Sequence, residues 1–202
     1  MRDRAIKPFV FALALVPAAL LVRAGVNGTL GVNPAETLQL ETGVWALRFL
    51  LLTLTITPLR RLTGWNRAIR YRRMLGLFAF FYAFAHFLTY LVLDQFFAFD
   101  LMLKDIVKRP FITAGMTAFV LMIPLAMTST RGWIRRLGRR WQALHRLIYL
   151  SAIAGAVHYL WKVKVIAGPP VYYAVAVAAL LAFRVVWQIR SGKSSSRQQA
   201  SA

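Results

Sequence analysis

The chain contains three histidines, His86, His145 and His158, and all of them lie inside long apolar stretches. An ionisable side chain is costly in a bilayer, so a histidine at such a position is by default a candidate functional residue. A neutral imidazole is a common iron ligand, and two imidazoles on opposite sides of one iron hold a b-type haem. The histidines therefore predict a haem site, provided that the helices bring two of them together.

Composition places the chain in the membrane class. Of its 202 residues, 59% are hydrophobic, and the mean hydropathy is +0.57, which is too apolar for a soluble domain of this size. The net charge of +20 does not indicate nucleic-acid binding, because the charges cluster between apolar stretches. The sequence has no cysteine, which excludes disulfides, thiolate metal sites, iron–sulfur clusters and covalent haem attachment.

Six apolar stretches predict an all-α polytopic membrane protein, a haem-binding bundle of six transmembrane helices. The predicted spans are Pro8–Val22, Val44–Thr57, Leu75–Leu93, Phe111–Met127, Ala143–Trp161 and Val171–Trp187. The first stretch follows basic residues, as in a signal peptide, but no small-x-small cleavage site follows it cleanly, so we interpret it as a span. No internal repeat is evident. The transmembrane domain is predicted to cover residues 1–190, and the polar segment 191–202 to form a disordered cytoplasmic tail.

Lysine and arginine are distributed unevenly between the two ends of these spans. They concentrate at the amino terminus, in the second-to-third connection, in the fourth-to-fifth connection and in the tail, whereas most acidic residues lie in the other connections. Basic connections stay on the cytoplasmic side of a membrane. The sequence therefore predicts a multi-pass protein of the bacterial inner membrane with both termini in the cytoplasm.

The depth of each histidine follows from the helical rise of 1.5 Å per residue. Counted from the cytoplasmic ends of their spans, His86 lies about 18 Å and His158 about 25 Å into the membrane, whereas His145 lies only about 6 Å deep. We therefore predict His86 and His158 as the axial pair of a haem near the outer face. His145 is a candidate haem ligand near the inner face, or a partner of a haem propionate or a quinone carbonyl.

Three arginines are candidate cofactor contacts. Arg48, close to the outer end of the second span, is predicted to pair with a haem propionate or to extend towards the lipid headgroups. A second haem near His145 would meet Arg72 or Arg73 at the corresponding depth of the third span, and arginine is not an ordinary iron ligand. An inner haem would therefore need a non-histidine ligand such as water.

The outward-facing connection Asp94–Arg109 is unusually apolar and carries opposite charges four residues apart at Asp105 and Arg109. Both features favour a short helix lying in the membrane interface. Two interpretations stay open for it, a docking surface for an external partner and a cover lying on the lipid headgroups.

Several blocks of this sequence resemble a known family. They are 137–150 with the following His158, 33–36, 42–47, 57–61, 72–77, 108–110 and 128–130. In this order they resemble the ferric reductase-like transmembrane superfamily, and within it the MsrQ family most closely. The resemblance runs from about Asn33 to Trp161, and the predicted spans beyond it are compatible.

This resemblance implies a haem-binding, six-span electron-transfer subunit rather than a catalytic one. Such a subunit passes electrons to a periplasmic molybdopterin enzyme that reduces methionine sulfoxide in oxidised proteins, and the two would form a heterodimer. The electrons would come from the quinone pool or a cytoplasmic flavin reductase, and FMN is also linked to the family. No βαβ pattern or glycine fingerprint of a dinucleotide-binding fold accompanies it here, so FMN would have to use the basic cytoplasmic loops.

The resemblance also assigns roles to individual positions. His86 and His158 match the outer haem pair, and His145 matches the inner histidine of the fifth helix. The larger superfamily has a fourth histidine where this chain has Arg72 or Arg73, which leaves a second, fully ligated haem in doubt.

Two other functions stay open at the level of sequence. One is a quinone-linked cytochrome b that serves a different periplasmic redox enzyme. The other is a haem-free transporter or assembly subunit, in which the histidines would relay protons. No acidic residue lies within a predicted span, which argues against a proton-coupled carrier.

Overall fold

A computed structural model describes the backbone of residues 2–163 and 168–200, and the side chains of residues 6–163 and 168–190. Within these ranges every regular element is helical and no strand occurs. The α-helices are α1 (Arg2–Val26), α2 (Pro34–Thr63), α3 (Ile69–Thr89), α4 (Phe99–Lys108), α5 (Pro110–Met127), α6 (Arg131–Leu137), α7 (Arg139–Leu144), α8 (Leu147–Val163) and α9 (Pro169–Ala200). The prediction of an all-α polytopic membrane protein is confirmed.

Five helices in the described part of the chain, α1, α2, α3, α5 and α9, are long and apolar enough to cross a membrane. Helix α8 has only 17 residues, or about 26 Å, which is shorter than a hydrocarbon layer of about 30 Å. The predicted total of six spans therefore stays a prediction.

Two boundaries differ from the sequence analysis. The fifth predicted span, Ala143–Trp161, is wrong at its start, because the backbone turns at His145 and Arg146 and α8 begins only at Leu147. The last helix is helical as far as Ala200, so the predicted disordered tail begins within a segment whose backbone is helical. Residues 201–202 lie outside the described residues.

The ends of α2 show how local sequence sets a helix boundary. Asn33 caps the amino terminus by accepting a hydrogen bond from the Glu36 N–H, and Pro34 occupies the first helical position. Both features are typical of a helix start. Gly64 ends the helix in the left-handed conformation, with φ at 70°, which costs glycine little. These caps make α2 longer at both ends than the predicted span Val44–Thr57.

The bundle is built around two helical hairpins, α2–α3 and α5–α8, whose helices pack most extensively against each other. Helix α9 packs on α8 and α2, and α1 packs on α2 and α3. We call one end of the hairpins, where α2 and α5 begin and α3 and α8 end, the cavity end. The opposite end, which carries the basic connections 60–73 and 131–146, is the arginine end.

Tyr82 joins α1 to this core and is only 1% exposed. Its hydroxyl donates to the carbonyl of Ala14 at 2.8 Å and accepts from the N–H of Ala18 at 3.1 Å. These are the two groups that a regular helix pairs with each other, and they flank Pro17, which lacks an N–H. The Tyr82 hydroxyl thus bridges the backbone of α1 at its proline and fixes α1 against α3.

The predicted interfacial helix is present as α4. Asp105 forms the expected ion pair with Arg109 at 3.3 Å and also accepts a hydrogen bond from Gln95 at 3.1 Å. One face of α4 exposes large apolar side chains, including Phe99, Leu101, Leu103 and Val107. This pattern suits a helix that lies in the membrane interface. Neither of the two interpretations of this segment is tested by these contacts.

Candidate functional site

A cavity of about 520 Å³ lies between the two hairpins at the cavity end. Its walls are mostly apolar and come from α2, α3, α5 and α8. His86 and His158 line it from opposite hairpins. Four charged side chains also line it, each from the end of a helix or the turn beside it: Glu36, Asp94, Arg109 and Lys162. A mostly apolar cavity with a few convergent polar groups is the usual form of a cofactor site.

Both histidines are held by backbone carbonyls. Nδ1 of His86 lies 2.7 Å from the carbonyl oxygen of Gln39, and Nδ1 of His158 lies 2.6 Å from that of Phe111. A carbonyl oxygen only accepts, so each Nδ1 carries the hydrogen and each neutral ring keeps a lone pair on Nε2. A carbonyl on Nδ1 is also the usual outer partner of a metal-binding histidine. The two imidazoles are therefore set in the tautomer that binds a metal.

The spacing of the two rings fits a single shared metal. The ring centres of His86 and His158 are 5.9 Å apart, and the ring planes are inclined at 74°. Two imidazoles that bind one first-row metal at about 2.1 Å each place their ring centres roughly 6 Å apart. The structure thus brings together the two histidines that the depth estimate pairs. No cluster of three or more His, Cys, Asp or Glu side chains that could hold a metal occurs among the described residues.

A glycine faces each imidazole, because the helices approach too closely for a side chain there. A methyl group added at Gly43 would lie 3.0 Å from both Nδ1 and Cε1 of His86. One added at Gly115 would lie 2.7 Å from Nδ1 and 2.9 Å from Cε1 of His158. Contacts this short push neighbouring atoms out of place. These two glycines are functional candidates that the sequence analysis missed.

The two halves of the site repeat each other along the sequence. Gly43 and Gly115 are 72 residues apart, and so are His86 and His158 and the carbonyls that hold them, Gln39 and Phe111. The hairpins therefore supply two equivalent half-sites, although the sequence analysis finds no internal repeat. The repeat is hard to see in sequence because Gln39 and Phe111 act through their backbones, which leaves their side chains free to differ.

At the arginine end the same offset relates His145 to Arg73, so the repeat does not supply a second histidine there. His145 lies in the turn between α7 and α8, stacks on Trp141 at 3.9 Å between ring centres, and places Nε2 3.1 Å from the Thr128 hydroxyl. Burial lowers the pKa of His145, and the nearby charge of Arg72 lowers it further. Arg72 is half-buried and Arg73 is exposed.

Because His145 precedes α8, it does not share a helix with His158, and the two cannot be related by counting helical turns. A neutral imidazole at this position can still accept a hydrogen bond or bind a metal. Its only hydrogen-bond partner among the described residues is Thr128.

Arg48 is not among the residues that line the cavity. Its Nε donates to the Tyr173 hydroxyl at 2.9 Å, and its guanidinium lies 4.5 Å from the centre of the Trp45 ring. The cations that do line the cavity are Arg109 and Lys162. Sequence spacing could have found Lys162, because it lies one helical turn after His158 and so shares its face of α8.

Comparison with known proteins follows this geometry. Residues 42–156 match the family described as ferric reductase like transmembrane component. The chain is 53% identical over 188 residues to the protein-methionine-sulfoxide reductase heme-binding subunit MsrQ of Azospira oryzae, which covers 92% of this chain and 81% of that protein. The chain belongs to the MsrQ family.

Other MsrQ proteins are equally similar. The MsrQ of Herminiimonas arsenicoxydans is 54% identical over 185 residues, which covers 90% of this chain and 85% of that protein. That of Brucella anthropi is 50% identical over 177 residues, covering 88% of this chain and 80% of the relative. No solved structure matches the chain. The family match contains His86, His145 and both glycines of the site, and it ends just before His158.

Proposed function

We propose that this chain is a membrane b-type cytochrome that holds one haem between His86 and His158. It would pass electrons to a periplasmic molybdopterin enzyme that reduces methionine sulfoxide in oxidised proteins. The observation that carries the proposal is the pair of imidazoles, each fixed by a backbone carbonyl, with ring centres 5.9 Å apart beside one cavity. The relatives support it, because they are named as heme-binding subunits of a protein-methionine-sulfoxide reductase.

The residues present fit a haem. Two Nε2 lone pairs face one space of the width that a shared iron needs, and the glycines at Gly43 and Gly115 leave no side chain against the imidazoles. When bound, the haem supplies a one-electron carrier whose potential depends on its axial ligands and surroundings. The carbonyls of Gln39 and Phe111 orient the rings, and by accepting from Nδ1 they make each Nε2 a stronger ligand. The apolar walls keep water from the site.

The charged residues of the cavity indicate how the haem would be oriented. Burying an ionised carboxylate without a partner is costly, so the two propionates would face the charged mouth rather than the apolar floor. Lys162 and Arg109 lie there, and Arg109 is engaged with Asp105. We propose Lys162 as the principal propionate partner, in place of Arg48.

This orientation predicts the effect of removing the ammonium group. In Lys162→Met the propionate loses its ion pair, so we expect the propionate-bending band in the resonance Raman spectrum to shift while one haem per chain is retained. Lys104→Met is the matched control, because Lys104 is an exposed cation of α4 that does not line the cavity. An unchanged band in Lys162→Met, or an equal shift in the control, would contradict the assignment.

We place the arginine end in the cytoplasm, with both termini, and the cavity end at the periplasmic face of the inner membrane. This orientation follows the concentration of Arg and Lys in the connections 60–73 and 131–146. Electrons would then enter from the quinone pool or from a flavin reductase at the arginine end, where His145, Arg72 and Arg73 lie. If FMN or a second haem binds, it would contact these residues and the basic loops.

The proposed function is tested by reoxidation. The haem-loaded full chain is reduced under anaerobic conditions and mixed with its cognate periplasmic reductase and a protein that contains methionine sulfoxide. We expect continuous turnover, with haem reoxidation that depends on both the reductase and the sulfoxide. The control replaces the reductase with an unrelated periplasmic molybdoenzyme. A haem that stays reduced with the cognate enzyme but is oxidised by the control would favour a cytochrome that serves another partner.

A haem-free transporter finds no support in the described part of the chain. All five carboxylates with described side chains, Glu36, Glu41, Asp94, Asp100 and Asp105, lie at or near the cavity end. None lies deep in the helices, where a relay through the membrane would need one.

A further inference from the structure

Arg184 is a buried cation that the proposed function does not use. It lies in the middle of the apolar helix α9 and is only 9% exposed. One terminal nitrogen donates to the Tyr149 hydroxyl at 2.6 Å, and the other donates to the carbonyl of Leu54 at 2.7 Å. Its guanidinium carbon is 5.0 Å from the centre of the Tyr149 ring. A single arginine thus joins α9 to α2 and α8.

The contact with Leu54 has a simple cause in the sequence of α2. Pro58 lies four residues later inside this helix and has no N–H to donate, so the Leu54 carbonyl lacks its usual helical partner. Arg184 supplies the missing donor. A neutral donor could fill that structural role equally well, so the hydrogen bond alone does not account for a charge at this position.

The positive charge has no counter-ion among the described residues. Nε of Arg184 is buried and has no hydrogen-bond partner, while Tyr149 and the Leu54 carbonyl are uncharged. The carboxylates with described side chains lie at or near the opposite, cavity end, and the charged neighbours that influence Arg184 are the cations Arg61 and Arg72. An isolated cation at such a depth is expensive, and in membrane proteins such residues usually serve a function.

The charge lies beneath the floor of the haem cavity. Leu50 and Ser151 line the cavity, and Leu54, which Arg184 contacts, is one helical turn further from the cavity end. Gly43 touches His86, and Leu54 lies about 16 Å from it along the helix at 1.5 Å per residue. The intervening space is filled by buried apolar side chains such as Leu47 and Leu50. Charges interact far more strongly across such a medium than across water.

We propose that Arg184 raises the reduction potential of the haem held by His86 and His158. Reduction adds one negative charge at the iron, and a fixed cation in an apolar surrounding stabilises the reduced form over the oxidised form. Arg184 therefore has two separable roles, a hydrogen bond that repairs the helix at Pro58 and a charge that acts on the haem. This inference rests on the proposed haem site, and haem content tests that site separately from the potential.

The experiment is a potentiometric titration of the haem-loaded full chain in detergent. Arg184→Gln keeps a donor for Leu54 but removes the charge, so we expect a lower midpoint potential with an unchanged haem-to-protein ratio. Arg184→Lys keeps the charge and is expected to stay close to the wild-type potential. Arg190→Gln is the matched control, because it removes an exposed charge from the same helix. Its effect should vanish near 1 M salt, where screening acts within about 3 Å, whereas the effect of Arg184→Gln should persist.

A second pair of variants separates the charge from the fold. Pro58→Ala restores an N–H for the Leu54 carbonyl, so α2 no longer needs the arginine, and the double variant Pro58→Ala with Arg184→Gln should fold even if Arg184→Gln alone does not. We expect the double variant to have a lower potential than Pro58→Ala. Equal potentials in these two proteins, or a wild-type potential in Arg184→Gln, would overturn the proposal. Loss of haem from the wild-type protein itself would instead overturn the proposed function.

Discussion

Protein in which His86 or His158 is replaced by alanine is expected to lose the spectrum of a haem with two imidazole ligands. Each histidine supplies one of two axial bonds, and the chain has no cysteine that could hold the porphyrin covalently. Among described residues no other histidine lines the cavity that could take its place. We therefore expect near-complete loss of the low-spin reduced bands in either variant, and at most a small residue of weakly bound, five-coordinate haem.

The measurement is the reduced-minus-oxidised difference spectrum, with haem quantified per chain. His145→Ala is the internal comparison, because His145 lies at the arginine end, bonded to Thr128 and stacked on Trp141. It should leave the spectrum of the haem at the cavity end unchanged. A normal low-spin spectrum in His86→Ala or in His158→Ala would remove that residue from the ligand set.

The second large effect is expected from a single methyl group. In Gly115→Ala the new carbon would lie 2.7 Å from Nδ1 of His158, which forces the ring or the helix to move and weakens the bond from Nδ1 to the Phe111 carbonyl. We expect a several-fold loss of haem occupancy, since overpacking of this kind typically costs about 1–3 kcal/mol. In Gly43→Ala the same group meets His86 at 3.0 Å, so the loss should be smaller.

Gly76→Ala is the control for these two variants. Gly76 is also a helical glycine, and an added methyl group would meet only the Thr53 side chain at an ordinary 3.6 Å. Alanine is the better helix former, so this variant should keep full haem occupancy and gain roughly 0.5–1 kcal/mol of stability. Haem per chain after purification decides the comparison. Equal occupancy in Gly115→Ala and Gly76→Ala would show that the close approach to His158 has no role in holding the cofactor.

Sequence predicts the class of fold and the pair of histidines because both depend on regular features. Apolar length indicates a spanning helix, and the helical rise gives the depth of a residue within it, which is enough to pair His86 with His158 and to separate them from His145. The start of α8 could not be predicted in this way. Residues 143–146 are apolar or aromatic enough to continue a helix, and only the contacts of His145 with Thr128 and Trp141 show that the chain turns there.

Contacts between distant helices account for the other differences. Arg48 has the right depth for a propionate, but Tyr173 of α9 and Trp45 take its guanidinium, and neither contact follows from spacing along α2. The glycines at Gly43 and Gly115 acquire meaning only when the imidazoles are placed against them. Arg184 is similar, because the orphaned carbonyl that it binds lies 130 residues away in the sequence.

The central claim is that one iron porphyrin lies between the imidazoles of His86 and His158, and haem quantification of the wild-type protein tests it most directly. The full chain is purified from haem-replete cells, and its reduced-minus-oxidised spectrum is recorded together with a pyridine haemochrome assay. We expect at least one haem b per chain with a low-spin, bis-imidazole spectrum. Protein that is folded but contains no stoichiometric haem would contradict the proposed site, and with it the proposed electron transfer.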